Sequence, residues 1–170
     1  MKTILITVLV LFFYNVTFAQ DVKTIPSVDV KDLTGKPYKT SDISNDGKPI
    51  ILSFWATWCK PCVKELTAIA EHYEDWQEET GVKLYAVSID DSRSMARVAP
   101  FVNGKAWDYT VLLDPNGDFK RALNVINVPH TFLIDKDGKI VYQHTTFADG
   151  DEFKLYELVK KVAKGESISE

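Results

Sequence analysis

An apolar run that feeds into a pair of cysteines limits this chain more than any other feature. Ile50-Ile51-Leu52-Ser53-Phe54-Trp55 is almost continuously apolar, the pattern of a strand covered by helices on both faces of a sheet. Cys59-Lys60-Pro61-Cys62 follows shortly and holds both cysteines of the chain. From Lys60 to about Glu79, the residues Val63, Leu66, Ile69, Ala70, Tyr73 and Trp76 fall at helical spacing. Gly81 stands where a helix ends on positive φ. Two such cysteines pair with each other, bind a metal together, or remain two thiols. A CxxC between a strand and a helix reads as a redox dithiol. The unpaired N–H groups and positive dipole end of the helix favour an anion there, so the first thiol ionises more easily, and Lys60 adds a positive charge. A structural disulfide is the plain alternative in an oxidising compartment. A loop this short removes little chain entropy, which favours chemistry over stapling.

The first residues are expected to lie outside the fold. Met1-Lys2 is a positive start, Ile4 to Tyr14 is apolar, and Thr17-Phe18-Ala19 ends the run on small residues. This is the pattern of a secretory signal peptide cut between Ala19 and Gln20. The run is shorter than the ~20 residues that span a bilayer, and no cysteine precedes Cys59 to carry a lipid. An exported, soluble protein is expected, with residues 20–170 forming one domain. The formal net charge of −4 comes without a lysine or arginine cluster, which argues against nucleic acid as a partner.

Further along, Ser27 to Leu33 and a strand from Tyr38 flank the turn Thr34-Gly35-Lys36-Pro37, predicting a short hairpin. Val82 to Ile89 reads as the next strand. A helix over Met95, Val98 and Val102 follows, shortened by Pro100 and closed by Gly104. Tyr109 to Leu113 is strand-like, and Asp118 to Asn124 is a short helix. Asp135-Lys136-Asp137-Gly138 between Thr131–Ile134 and Lys139–Gln143 predicts a second hairpin. The last helix spans Asp151 to Ala163, with Phe153, Tyr156, Leu158 and Val159 inward. Strand–helix–strand, an insert, then hairpin and helix imply an α/β fold with a central mixed sheet.

Phe54-Trp55-Ala56-Thr57-Trp58-Cys59-Lys60-Pro61-Cys62, with Val128-Pro129-His130-Thr131-Phe132-Leu133-Ile134-Asp135 about seventy residues later, resembles the thioredoxin superfamily, and within it the exported TlpA/ResA-like branch. The resemblance implies a thioredoxin-like fold with an N-terminal β-hairpin and an insert, Asp90 to about Asn127, before a cis-proline hairpin. It implies a cis Val128–Pro129 bond, whose preceding backbone would pair with an extended substrate chain. Glu65, three residues after Cys62, shares its helix face and could take or give the proton that exchange requires. The branch carries an acid at that position, and Ser53 stands where thioredoxin has a buried aspartate.

Trp58, Lys60, Pro61, Val128, Pro129 and His130 are the expected substrate contacts, although His130 reads more simply as an exposed loop residue. His72 and His144 read as surface residues, Trp55 as core, and Glu71, Glu74, Asp75, Glu78 and Glu79 as a solvated helix face. Thr67 replaces a proline that often kinks the family's first helix, so a straighter helix is expected. Asn127 replaces a common glycine.

The activity implied is that of an exported, periplasmic thiol–disulfide oxidoreductase of the protein-disulfide reductase type. Cys59 is the nucleophile and Cys62 the resolving thiol, with no cofactor beyond this redox-active disulfide. Protein thiols such as those of apocytochrome c are the implied substrates in cytochrome c maturation, with a membrane electron donor protein restoring the dithiol. A disulfide oxidase and a copper-binding chaperone using His130 or His144 are the alternatives. A peroxidase fits less well, because Ala56 replaces the threonine or serine that precedes a peroxidatic cysteine by three residues.

Overall fold

A computed structural model describes residues 24–168; the predicted signal peptide lies outside them. Strands β1 (Asp29–Asp32) and β2 (Pro37–Lys39) form the predicted hairpin, with Val30 opposite Tyr38. Its turn is closed by the Asp32 carboxylate, which accepts from the backbone N–H of Thr34 and Lys36. Strand β3 is Ile50–Trp55, β4 Lys83–Ser88, β5 Thr110–Leu113, β6 His130–Ile134 and β7 Ile140–His144. One sheet contains all seven in the order β2-β1-β5-β4-β3-β6-β7. β3 runs parallel to β4 and antiparallel to β6. The sheet is therefore mixed, as the sequence predicts.

Every residue of β3 is buried, because helices α1 (Lys60–Ala70), α2 (Tyr73–Thr80), α3 (Val98–Lys105) and α5 (Asp151–Ala163) cover one sheet face and α4 (Asp118–Ala122) the other. Ile51 and Trp55 join Leu66, Ile69, Val98 and Leu155 on the first face. Ile50, Leu52 and Phe54 join Phe119 and Phe132 on the second. The alternation follows the two-residue period of a strand. Burial of side chains this large contributes roughly 1.5–3 kcal/mol each, so β3 anchors both halves of the core.

Three expectations require correction. The helix after the cysteines is not continuous. It stops at Ala70, His72 takes a non-helical φ of −126°, and α2 begins at Tyr73. Partners distant in sequence hold α2: the Tyr73 hydroxyl accepts from the Leu84 backbone N–H at 2.8 Å, and Trp76 stacks on Tyr156 at 4.6 Å. Replacing the expected proline by Thr67 thus does not give a straight helix. Gly81 does end α2 in the left-handed region, at φ 68°.

In α3, Pro100 lies in the first turn, where its missing N–H is not needed. Ala106 at φ 53°, rather than Gly104, terminates that helix. In α5 the inward residues are Leu155, Val159 and Val162, with Tyr156 and Leu158 partly buried, whereas Phe153 is exposed. Phe153 packs instead on the half-buried His72 ring, 5.3 Å away.

Candidate active site

The cysteine loop leaves the end of β3 and turns directly into α1. Cys59 is the N-cap, with Pro61 in the first turn, where proline suits a helix. The Cys62 backbone N–H donates to Cys59 Sγ at 3.3 Å. The two cysteines form a disulfide with Cα atoms 5.3 Å apart. Cys59 is 5 % exposed and Cys62 fully buried, while neighbouring Trp58 is 64 % exposed. Lys60 and Pro61 are exposed too. The outer sulfur thus belongs to Cys59 and lies at the positive end of a helix, where a thiolate is favoured when the bond is reduced.

A buried carboxylate that sequence reasoning missed holds this loop in place. Asp90, 1 % exposed, accepts from the Thr57 backbone N–H at 2.8 Å, the Thr57 hydroxyl at 2.6 Å and the Ser88 hydroxyl at 2.8 Å. Asp91, next in the chain, begins the turn toward α3. The turn is capped by Asp91 alone, through Ser94 and Arg93.

The Val128–Pro129 bond is cis. Phe54 lies opposite His130 in the β3–β6 ladder. Continuing that register puts buried Pro129 opposite Trp55, at the strand end from which the cysteine loop departs. Exposed Ile126 and half-buried Val128 precede it.

His130 is not an exposed loop residue. It opens β6, is 7 % exposed, lies 3.0 Å through Nε2 from Gln143 Oε1, and stacks on Phe132 at 4.3 Å. Side chains alternate along a strand, so its neighbour Thr131 faces the opposite way, toward α1.

On that face Glu65, only 1 % exposed, meets two groups directly. Its Oε1 accepts the Thr131 hydroxyl at 2.8 Å, and that hydroxyl lies 2.9 Å from Ser53 Oγ. His144 Nε2 is 2.8 Å from the same Oε1. His144 is therefore no surface residue, its side chain being 17 % exposed. Glu65 Oε2 is buried and has no hydrogen-bond partner among the described residues.

Two neighbouring tyrosine hydroxyls are shifted upward. Burial first, then the nearby Tyr73 and Glu65, push the Tyr109 hydroxyl far above its ordinary range. That hydroxyl donates to the Leu66 carbonyl at 2.7 Å, tying α1 to the start of β5. Tyr142 is raised by burial, with smaller contributions from Asp151 and Glu65. Among the described residues, no three His, Cys, Asp or Glu side chains are grouped to hold a metal ion. No described helix is long and apolar enough to cross a membrane.

Comparison with known proteins agrees with this geometry. Residues 22–143 match the AhpC/TSA family. Thiol-disulfide oxidoreductase ResA of Bacillus thuringiensis subsp. konkukian is 36 % identical over 142 residues, covering 82 % of this chain and 77 % of that protein. ResA of Bacillus subtilis is 33 % identical over 143 residues, covering 81 % and 77 %. Among solved structures, an uncharacterized thioredoxin-like protein from Porphyromonas gingivalis is 51 % identical with a TM-score of 0.74, covering 82 % of this chain and 92 % of that one. A putative thiol:disulfide interchange protein DsbE from Chlorobium tepidum is 27 % identical with a TM-score of 0.73, covering 85 % and 98 %. A strand-to-helix CxxC, a mixed sheet and this extent of identity lead to one assignment: the chain belongs to the thioredoxin-like AhpC/TSA family and is a thiol–disulfide oxidoreductase of the ResA type.

Proposed function

We propose that the protein is exported to the periplasm and works there as a reductase of protein disulfides. In the reduced protein the Cys59 thiolate attacks one sulfur of a substrate disulfide, and the other substrate sulfur leaves as a thiolate that takes a proton from water. The Cys62 sulfur then attacks Cys59, giving its proton to Glu65, and the second substrate sulfur departs as a thiolate that takes a proton from water. The substrate gains two electrons and the Cys59–Cys62 pair loses them. A membrane electron donor returns the pair to the dithiol, and no further cofactor takes part. Substrates are proteins that must keep thiols reduced outside the cytoplasm, apocytochrome c among them.

The observation that carries this reading is the arrangement of the cysteine pair. Its outer member caps a helix, its inner member is sealed, and a buried carboxyl follows one turn later on the same face. The exposed apolar residues Trp58 and Ile126 supply a contact surface for protein substrates. The resemblance to ResA and DsbE supports the reducing direction. The test is the reduction potential of the pair against a glutathione or dithiothreitol buffer. A value near thioredoxin's, about −270 mV, supports a reductase. A value near −120 mV, that of a strong oxidant, replaces it with an oxidase. Export is tested by locating the chain and sequencing its mature N-terminus, expected at Gln20.

A further inference from the structure

Burying an ionised carboxylate is costly unless its oxygens are paired, and Glu65 is paired on one oxygen only. Oε1 accepts both the Thr131 hydroxyl and the His144 ring, while Oε2 is enclosed without a hydrogen-bond donor among the described residues. A carboxylate oxygen only accepts, so the facing Nε2 is the protonated ring nitrogen. With Oε1 engaged twice, Oε2 is the atom at which a proton is gained or lost. Helical side chains lean toward the N-terminus of their helix. Glu65 therefore leans back over the turn that contains Cys62, three residues earlier.

His144 differs from the other two members of the cluster. Ser53 and Thr131 are fully buried hydroxyls with no ionic state of their own, whereas His144 can carry a charge and its side chain reaches solvent. It lies opposite Thr131 across the β6–β7 ladder, so the hairpin holds both donors on one oxygen. The charged and titratable groups facing it are Glu65 from α1, Tyr142 from its own strand with rings 5.7 Å apart, and Asp151 from α5, itself paired with Lys154. Tyr109, at the start of β5, faces the Glu65 side.

We propose that His144 is the positioning partner of the exchange reaction. Its Nε2–H shares Oε1 with Thr131, directs proton exchange to Oε2, and couples the buried Glu65 carboxyl to the pH of the solvent. As Cys62 attacks the mixed disulfide, the new Cys62–Cys59 bond forms, the Cys59–substrate bond breaks, and the Cys62 proton passes to Oε2. A protonated imidazole gives Oε1 a charge-assisted hydrogen bond, and a neutral one a weaker bond. This assignment rests on the reading of Glu65 as the proton acceptor.

The test is stopped-flow reaction of the reduced protein with 5,5′-dithiobis(2-nitrobenzoate) between pH 5 and 9. The first release of thionitrobenzoate reports attack by Cys59, and the second reports resolution by Cys62. His144→Leu is expected to slow the second release about tenfold, the loss expected for one charge-assisted hydrogen bond, and to change its pH profile. The first release should stay within about twofold of the parent on the same grounds. His144→Gln, whose amide N–H can reach Oε1, should restore most of the rate but not the parent's pH profile. A parent-like second release in His144→Leu at every pH overturns the proposal. If that variant fails to fold, a parent-like pH profile in His144→Gln overturns it alone. Glu65→Gln separates the two claims: an unchanged second release there removes the acid–base reading of Glu65 itself.

Discussion

Asp90 grips Thr57 twice, through the backbone N–H at 2.8 Å and the hydroxyl at 2.6 Å, across 33 residues of sequence. Thr57 lies two residues before Cys59, so the end of β4 fixes the loop from which the nucleophile emerges. Replacing Asp90 by alanine leaves the half-buried Thr57 hydroxyl and the buried Ser88 hydroxyl without their acceptor. We expect a loss of about 2–4 kcal/mol in urea unfolding, the scale for breaking a buried charge-assisted network. Asp90→Asn keeps one acceptor oxygen and should lose less.

The difference in burial between the two cysteines predicts how each serine variant behaves. Cys62→Ser leaves Cys59 free to attack but removes the thiol that resolves the mixed disulfide. It should accumulate a covalent complex with a protein disulfide, seen as a shifted band on non-reducing gels. Cys59→Ser should accumulate none, because the remaining thiol is fully buried.

Trp58 exposes a large apolar side chain beside the nucleophile, which matters to a protein substrate more than to a small one. Trp58→Ala is expected to raise KM for a protein disulfide by about tenfold, in line with the loss of an aromatic contact at an interface. Exchange with a small aromatic disulfide should change little. Equal losses with both substrates would remove Trp58 from substrate recognition.

Asp151 links stability to acid pH. Its carboxyl is held below the ordinary range, first by the hydrogen bond from Lys154 at 2.7 Å and next by the Ala148 backbone N–H at 2.8 Å. A depressed folded value stabilises the native state above the unfolded carboxylate range, and this contribution is lost as pH falls through the folded value. Thermal unfolding of the parent and of Asp151→Asn should therefore differ at neutral pH and converge once the pH has fallen below the lowered folded value. The difference should be small and shrink with salt, since the pair lies at the surface.

Much of the fold is legible in the sequence, because local chemistry dictates it. The apolar run of β3, the CxxC at its end, the Asp-Gly turn between β6 and β7, the glycine that closes α2 and the Asp151–Ala163 helix are short-range patterns. The resemblance in the two motifs adds the superfamily and the cis bond at Val128–Pro129, and it singles out Glu65, which the fold buries.

What the sequence by itself determined is therefore which segments become strand or helix, and where the dithiol sits. Tertiary structure alone decided which buried groups meet. The break at His72 follows from the partners of Tyr73 and Trp76. The strand expected within the insert, β5, takes a place between β4 and β1 and so joins the N-terminal hairpin to the sheet. His144 reads as a surface residue because its partner lies 79 residues away. Its face depends on the β6–β7 register, which shifts at Leu133/Ile134. A one-residue slip in a strand exchanges its faces, so only the assembled sheet could turn His144 toward Glu65 and His130 away from it.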